Sequence, residues 1–205
     1  IHKEKYSGET SLNKIKKIKN KLKKNNIDYY ILISLDSIAW LLNIRGNDIK
    51  YTPLAFCHII IPKEGKVELF INKKKVQEIK DKLSKIVNIN SFSKISSFIK
   101  SIESKKIIGV DEINTSYKFE KICKDNKLIL KYIENPCLYL KAVKNSTEIK
   151  GAKNANLRDG VSITKFLFWL KKIMKTKDTN ELIASEYLLG LRKKNKLFYS
   201  LSFET

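Results

Sequence analysis

Histidine and cysteine, the side chains that most often hold transition metals or act as nucleophiles, are scarce in this sequence. The 205 residues include two histidines, His2 and His58, and three cysteines, Cys57, Cys123 and Cys137. None of them has zinc-site spacing, and no phosphate loop or serine-hydrolase motif is present. His58 lies in an apolar run, which favours a hydrogen-bonded strand histidine over a metal ligand. The sequence therefore predicts no metal ligand and no catalytic residue in this chain.

The three cysteines stand far apart and are odd in number, which favours buried, reduced thiols over disulfides. A reducing compartment, the cytoplasm, is the expected location. No stretch has the roughly 18 apolar residues that a membrane span needs, so no membrane partner is expected. Neither end resembles a natural terminus, and we expect both to be cut from a longer chain.

Carboxylates at strand ends often carry catalysis in α/β proteins, and Asp111-Glu112 follows a predicted strand. Capping of the segment near Asn114 is the simpler interpretation. Arg158 and Asp159 on a later helix are interpreted as surface or interface charges.

The segment 43–53 is the most unusual part of the sequence, because it joins a hydrophobic helix to a predicted hairpin. It contains Arg45, the turn-competent Gly46 and, at the start of the next strand, Pro53. These residues favour a structured connection over a binding loop, with Arg45 and Asp48 as a local ion pair.

The elements that position this segment alternate between helix and strand patterns. Apolar residues at three- and four-residue steps, such as Leu12, Ile15, Ile18 and Leu22, predict an amphipathic helix. Short apolar runs predict strands, with a hairpin around residues 62–65. The predicted helices cover 10–25, 35–43, 73–83, 93–102 and 116–124, and the predicted strands cover 29–33, 54–62, 66–71, 86–89, 106–110 and 127–133. This order predicts a mixed α/β domain with a largely parallel sheet plus one antiparallel hairpin.

Asn135-Pro136 interrupts the alternation, since proline disfavours helix at the residue before it. We place a domain boundary at 135–145 and assign the domains as 1–138 and 139–205. Beyond it, Asn145 and Glu148 form a capping-box pattern that begins a long helix. The same pattern, Asp178 with Glu181, begins a second helix that ends near residue 194, and a strand is predicted at 197–203. Gly151 and Gly160 weaken the long helix, so we expect close packing to require them.

The chain carries 42 basic and 21 acidic residues, a formal net charge of +21. All but three of the basic residues, Arg45, Arg158 and Arg192, are lysine. Base and phosphate recognition favours the planar fork of arginine. The composition therefore favours solvated lysine-rich faces and predicts no specific nucleic-acid partner, with nonspecific polyanion binding as an alternative.

Residues 35–48, LDSIAWLLNIRGND, are followed by Tyr51, Pro53 and Phe56, and the whole stretch closely resembles one in the three-domain X-Pro aminopeptidases (aminopeptidase P). Residues 140–148, LKAVKNSTE, resemble the beginning of that family's catalytic domain. Further similar segments are Arg158-Asp159-Gly160, Phe168-Trp169-Leu170, Thr179-Glu181 and Ser200–Phe203. Order and spacing agree from about Tyr6 to Thr205, and the departures are Asn47, where the family has Ser, and Thr52, where it has Asn.

The resemblance implies a creatinase N-terminal-like mixed sheet with flanking helices, followed by the opening helices of a truncated pita-bread (α+β) domain. Members of this cytosolic family remove the N-terminal residue from peptides that have proline in the second position. They use two bridged divalent ions, usually manganese, whose ligands all lie downstream of the segment resembled here. The resemblance implies that this chain binds no metal, is inactive alone, and belongs to a protein that can form a homodimer through its catalytic domain.

Two questions stay open at this point. Arg45 and Asp48 either give their loop its shape or face the substrate channel. The protein itself is either the aminopeptidase or a noncatalytic binding module on the same scaffold.

Overall fold

The computed structural model of the chain describes residues 1–175 and 179–203. It divides the chain into two compact units, Ile1–Lys144 and Asn145–Thr205. The division lies at the end of the 135–145 region that Asn135-Pro136 marks in the sequence. The assignment of 1–138 and 139–205 to two family domains stays a prediction.

The first unit contains a six-stranded sheet with helices between its strands. The helices are α1 (Glu4–Ser7), α2 (Ser11–Lys24), α3 (Leu35–Leu42), α4 (Lys80–Leu83), α5 (Ile95–Ser101), α6 (Tyr117–Asp125) and α7 (Leu138–Ala142). The strands are β1 (Tyr29–Leu32), β2 (Cys57–Pro62), β3 (Val67–Ile71), β4 (Val87–Ser91), β5 (Ile107–Val110) and β6 (Ile129–Tyr132). Short 3-10 helices, Lys73–Ile79 and Phe92–Lys94, precede α4 and α5.

The strand order across the sheet is β4-β3-β2-β1-β5-β6. β2 is antiparallel to both of its neighbours, β1 and β3, whereas the pairs β3–β4, β1–β5 and β5–β6 are parallel. Five strands therefore run in one direction and β2 runs in the other. This arrangement confirms the predicted mixed α/β fold class of the first unit.

The strands read as continuous apolar runs because both faces of the sheet are covered. Alternate residues of β2 show this, since Ile59 and Ile61 belong to one buried cluster and Ile60 to the other. The first cluster includes Ile18 of α2, and the second includes Ile99 of α5. The sheet thus lies between two helical layers, each with its own hydrophobic core.

Helix α2 buries three of its four predicted core residues, Ile15, Ile18 and Leu22, but Lys14 takes the place of Leu12. Leu12 is 58% exposed, whereas Lys14 is only 1% exposed. The buried positions are Ser11, Lys14, Ile15, Ile18 and Leu22. Lys14 is buried because its ammonium group finds polar partners at the end of α3, as described below.

Two other predicted elements differ from the structure. The predicted helix 73–83 is mostly a 3-10 helix that ends in a single α-helical turn. The predicted strand 54–62 begins only at Cys57, because Phe56 N donates to the carboxylate of Asp48 and Leu54 O accepts from Asp48 N. These backbone groups therefore form hydrogen bonds with the preceding loop and are not available to pair with a neighbouring strand.

The second unit contains the long helix α8 (Ser146–Ile173) and α9 (Glu181–Lys193). The predicted capping box is confirmed, since Asn145 Oδ1 accepts from Glu148 N at 3.0 Å and Glu148 Oε2 accepts from Asn145 N at 2.9 Å. The predicted cap Asp178 lies outside the described residues. In the structure the cap of α9 is Asn180, whose Oδ1 accepts from Ile183 N at 3.0 Å.

Two expectations for the second unit are wrong. Residues 197–203 form no strand, since a strand needs a partner for its backbone groups and the described part of this unit contributes only helices. Gly151 and Gly160 are not required by close packing, because no atom lies within 4 Å of a Cβ built at either position. Along the described ranges 1–175 and 179–203, no helix combines the length and the apolar character that a membrane crossing requires.

Candidate functional site

A buried lysine, Lys14, holds the end of α3, where the loop to β2 begins. Asn43 adopts a left-handed backbone conformation (φ 50°) that ends the helix. Lys14 Nζ donates to Asn43 Oδ1 at 2.8 Å and to Trp40 O at 2.9 Å, and it lies 4.5 Å from the centre of the Trp40 ring. Asn43 Nδ2 donates to Glu9 O at 2.8 Å. The last turn of α3 is therefore held against α2 by charge-assisted hydrogen bonds.

Two backbone hydrogen bonds close the loop between α3 and β2 on itself. Gly46 N donates to Pro53 O at 3.2 Å, and Asp48 N donates to Leu54 O at 3.0 Å. A Cβ at position 46 would lie 2.6 Å from Ala55 Cβ and 2.9 Å from Ala55 Cα. The two sides of the loop can approach this closely only because residue 46 is glycine.

Arg45 and Asp48, the two residues singled out by the sequence, make separate contacts. Arg45 Nη1 donates to Ile44 O at 2.8 Å and to Ala39 O at 3.1 Å. Asp48 Oδ1 pairs with Lys75 Nζ at 2.6 Å, and its Oδ2 accepts from Phe56 N at 2.7 Å. The predicted Arg45–Asp48 ion pair is therefore wrong. Asp48 reaches the next connection of the chain, where Lys75 supplies the cation.

The environment of Asp48 keeps its carboxylate ionised. The side chain is 17% exposed. Its pKa lies below the ordinary value, chiefly because of the hydrogen bond from Lys75; burial opposes this effect, and the hydrogen bond from Phe56 N lowers the pKa further by a smaller amount. A carboxylate committed to two donors in this way is suited to holding the loop and not to accepting a proton.

A cleft of about 350 Å³ opens beside this loop. Arg45, Asp48 and Lys75 contribute charged groups to it, and its apolar wall is formed by Ile44, Ala55, Ile71, Val76, Ile79 and Leu83. The volume lies in the range of small-molecule or side-chain sites. The described lining residues include no nucleophile with an adjacent base, so the cleft is suited to binding and not to covalent chemistry.

The two stretches that resemble the aminopeptidases meet in the structure. Asp36, at the beginning of α3, forms an ion pair with Lys141 of α7. Ser37 Oγ accepts a hydrogen bond from Asn135 Nδ2 at 2.8 Å. Residues about one hundred positions apart in the sequence thus fasten the beginning of α3 to the segment that follows β6.

Asn135 has a structural role that the sequence did not reveal. It is 5% exposed. Its backbone N donates to Asp111 Oδ2 at 3.2 Å, and its Oδ1 accepts from Cys137 N at 3.0 Å. The sequence marked Asn135-Pro136 only as an interruption of the helix and strand pattern. The one hint of the hydrogen bonds of Asn135 was an amide side chain placed before a proline and next to an apolar run.

Asp111 caps the segment at Asn114 as expected, but that segment is a turn and not a helix, since α6 begins at Tyr117 with Ser116 as its cap. Asp111 Oδ1 accepts from Ile113 N at 2.9 Å and from Asn114 N at 3.1 Å. Because Oδ2 accepts from Asn135 N, both oxygens of the carboxylate are bound by backbone N–H groups. Glu112 is exposed and lies outside this arrangement.

Among residues 1–175 and 179–203, no three histidine, cysteine, aspartate or glutamate side chains come together in a way that could hold a metal ion. His58 lies on β2 between Phe92 and Phe119, with ring centres 5.0 Å and 5.7 Å away. It lies on a strand, as the sequence predicts, and its Nδ1 has no hydrogen-bond partner in the described part of the chain. His58 is a half-buried member of an aromatic cluster.

Burial lowers the pKa of His58 below its ordinary value. The unfolded chain then takes up the proton first as the pH falls, so the contribution of neutral His58 is complete above pH ~6.5 and is lost below it. We expect the free energy of unfolding to fall between pH 7.5 and 5.5, and to fall less in His58→Phe. Urea titrations at both pH values measure this. His2→Gln is the control for the other histidine, and equal losses in wild type and His58→Phe would refute the assignment.

The three cysteines are buried. Burial raises the pKa of Cys57 to about 12, that of Cys123 to about 11 and that of Cys137 to about 12. All three are therefore protonated at neutral pH, and none has the thiolate character of a nucleophile.

In the second unit, Asp159 joins α8 to α9. Its two carboxylate oxygens accept from Arg192 Nε at 2.7 Å and from Arg192 Nη2 at 3.1 Å. Trp169 of α8 stacks on Tyr187 of α9 with ring centres 3.9 Å apart. Asp159 is thus a helix-pairing charge, and the sequence did not identify Arg192 as its partner.

Residues 1–148 match the family described as the Creatinase/Prolidase N-terminal domain. Xaa-Pro aminopeptidase 1 of Dictyostelium discoideum is 34% identical over an alignment of 208 positions that covers 98% of this chain and 32% of that protein. A probable Xaa-Pro aminopeptidase P of Coprinopsis cinerea is 29% identical over an alignment of 217 positions that covers 98% of this chain and 35% of that protein. The chain spans about a third of the length of these relatives.

Among solved structures, X-prolyl aminopeptidase from Caenorhabditis elegans, a cytosolic enzyme with a di-nuclear active site, matches with a TM-score of 0.90 and 26% identity. The match covers 99% of this chain and 34% of that one. Xaa-Pro dipeptidase from Bacillus anthracis matches with a TM-score of 0.67 over 90% of this chain and 50% of that one, and at 16% identity it supports the fold alone. The creatinase-like fold expected from the sequence is thereby confirmed.

Proposed function

The chain belongs to the Creatinase/Prolidase N-terminal domain family, and we propose that it forms the α/β domain and the helical beginning of the catalytic domain of an X-Pro aminopeptidase. The observation that carries the proposal is the extent of the similarity. It runs over 98% of the chain in the Dictyostelium relative and over 99% in the solved Caenorhabditis enzyme, and so includes both compact units. A match to the α/β unit alone would support only the fold.

The proposed activity is removal of the N-terminal residue from peptides whose second residue is proline. The proposed cofactor is a pair of divalent ions, taken as manganese, which activate the attacking water in enzymes of this kind. The described residues do not fit such a centre, since no group of potential ligands comes together in them. We therefore assign no catalytic step to this chain, and the ligands are proposed to come from other parts of the protein.

The proposed role of the α/β unit is to form a rigid wall beside the substrate path. Its stiffness would come from the closed loop at 43–56, in which Arg45 binds helix carbonyls and Asp48 binds Lys75 and Phe56 N. We propose the loop-structuring role for both residues, with contact to the substrate as the alternative. In the full-length protein, Arg45→Ala separates them, because reduced stability at an unchanged KM favours structure and a raised KM favours the channel.

The proposed location is the cytoplasm, since the Caenorhabditis enzyme is cytosolic, and three protonated, unpaired cysteines are compatible with it. A homodimer formed through the catalytic domain is proposed for the full-length protein.

The test of the proposed function is an assay with an X-Pro peptide and added Mn²⁺. The full-length protein should release the first residue, and the chain of residues 1–205 should give no turnover above the metal-only background. The loss should be at least 10⁶-fold, the scale of an enzymatic rate enhancement. Turnover by residues 1–205 would contradict the assignment of the chemistry to other parts of the protein. Absence of turnover in both would favour a noncatalytic binding module.

A further inference from the structure

The two ends of the sheet differ in charge. At one end the five parallel strands begin and β2 terminates. The connections at this end contain three carboxylates, Asp28, Glu64 and Glu103, and six lysines, Lys63, Lys66, Lys85, Lys105, Lys106 and Lys127. The connections at the opposite end, with the 3-10 helices that begin there, contain six cations, Arg45, Lys50, Lys73, Lys74, Lys75 and Lys94, and five carboxylates, Asp48, Glu78, Asp111, Glu112 and Glu134. The formal charge of these groups is therefore +3 at the first end and +1 at the opposite end.

The six lysines, named here the lysine row, follow the order of the strands. Lys85 precedes β4, Lys63 and Lys66 flank the β2–β3 turn, Lys105 and Lys106 precede β5, and Lys127 precedes β6. With about 4.8 Å between neighbouring strands, six strands extend over roughly 24 Å. The row therefore has the length of an extended segment of several phosphates.

Four of the six lysines in the lysine row pair with no carboxylate that the structure describes. Lys63 pairs with Asp28 at 2.7 Å and Lys106 with Glu103 at 3.5 Å, while Lys66 Nζ donates to Ser84 O at 3.0 Å. The ammonium groups of the exposed Lys85, Lys105 and Lys127 make no hydrogen bond or ion pair with any residue that the structure describes.

Two of these lysines occupy backbone conformations that lysine disfavours. Lys105 has φ 68° and Lys127 has φ 56°. Lys127 follows the end of α6, where Leu128 N donates to Cys123 O at 2.9 Å, and glycine is the usual residue at such a position. Lys105 N donates to Lys127 O at 2.9 Å, so the two strained residues are neighbours. Strain that persists at a site is a reason to look for a function there.

Helix ends account for only part of this charge. Helices α2, α4, α5 and α6 end at the same side of the sheet, and their partial negative charge favours lysine in the last helical turn. The lysine row lies in the connections beyond those turns. The helix effect does not explain why lysine replaces glycine at two left-handed positions.

We propose that the lysine row binds an extended phosphate polyanion without sequence preference. Lysine acts as a point charge toward phosphate and lacks the fork with which arginine reads bases. Such binding releases counterions and weakens steeply with salt. The site is separate from the cleft at Arg45 and Asp48, which adjoins the opposite end of the sheet.

The test measures fluorescence anisotropy with a labelled single-stranded oligo-dT 20-mer and with labelled inorganic polyphosphate, on the full chain, from 50 to 200 mM salt. The triple variant Lys85→Gln, Lys105→Gln, Lys127→Gln should bind both probes at least tenfold more weakly. The slope of log affinity against log salt should fall by about 0.7 for each lysine removed. The matched control, Lys150→Gln, Lys153→Gln, Lys171→Gln on α8, loses the same charge and should change affinity less than twofold.

Lys127→Gly separates loss of binding from loss of folding. Glycine adopts a positive φ without strain, so this variant should fold at least as well as the wild type. It should raise the urea midpoint of unfolding and still weaken binding about threefold. Binding to polyphosphate alone would identify an inorganic source and support the proposal. Equal losses in the two triple variants would show that only net charge matters, and binding to oligo-dT alone would show contact through bases. Either result would overturn it.

Discussion

Replacing Gly46 by alanine is expected to lower the free energy of unfolding of the first unit by about 3 kcal/mol, at the upper end of the cost of overpacking. The new Cβ would lie 2.6 Å from Ala55 Cβ, 2.9 Å from Ala55 Cα and 3.0 Å from Ala55 N. Two of these atoms belong to the backbone and cannot rotate away. The loop could relieve the clash only by opening, which breaks the hydrogen bond from Gly46 N to Pro53 O.

Urea denaturation followed by far-UV circular dichroism measures this loss. Gly151→Ala is the matched control, because nothing lies within 4 Å of its Cβ and alanine should stabilise the interior of α8 by about 1 kcal/mol. The double variant Gly46→Ala, Ala55→Gly should recover part of the loss, since it removes the Cβ–Cβ contact and leaves the backbone contacts. A Gly46→Ala protein as stable as wild type would show that the loop yields easily and is not a rigid wall.

Much of the fold could be predicted because the spacing of apolar residues along the chain reflects which side chains are buried. The apolar run 29–33 predicts a strand with both faces covered, and the observed strand Tyr29–Leu32 has a hydrophobic cluster on each face. The capping box at Asn145 and Glu148 could be predicted because both partners lie within one helical turn. Patterns of this kind are local, so a short stretch of sequence is enough to identify the strand or the helix start.

The contacts of the candidate site could not be predicted because their partners are far apart in the sequence. Asp48 lies three residues from Arg45, yet it pairs with Lys75 on another connection. The capacity of Asn135 to bind Ser37 depends on α3 lying beside the end of β6, which no local pattern states. Family resemblance marked the right segments and left the contacts of each side chain to the structure.

Helix α2 gives the clearest reason for such errors. Hydrophobicity placed Leu12 in the core and Lys14 on the polar face, but the structure exposes Leu12 and buries Lys14. A lysine can be buried when its aliphatic stem packs and its ammonium group finds acceptors. Those acceptors, Asn43 Oδ1 and Trp40 O, belong to α3 and its cap, so the sequence of α2 alone cannot reveal them.

Replacing Lys14 by methionine is therefore expected to lower the free energy of unfolding by about 3 kcal/mol. Methionine preserves the length of the stem and removes only the charge and its hydrogen bonds, which are worth about 1.5–3 kcal/mol each when the donor is charged. The bonds to Asn43 Oδ1 at 2.8 Å and to Trp40 O at 2.9 Å would lose their donor, and Asn43 is itself buried. Relief from burying an ammonium group offsets part of this loss and keeps it below the sum of the bonds.

The same urea titration measures the change, with Lys17→Met as the matched control on the same helix. Lys17 is 54% exposed and pairs with Glu9, so its replacement should cost no more than about 1 kcal/mol. Because Lys14 holds the turn from which the loop at 43–56 begins, Lys14→Met should also increase hydrogen exchange at Gly46 N and Asp48 N. Equal stabilities of the two variants would mean that α3 keeps its end without the buried cation, and the loop would then owe its shape to Gly46 and Asp48 alone.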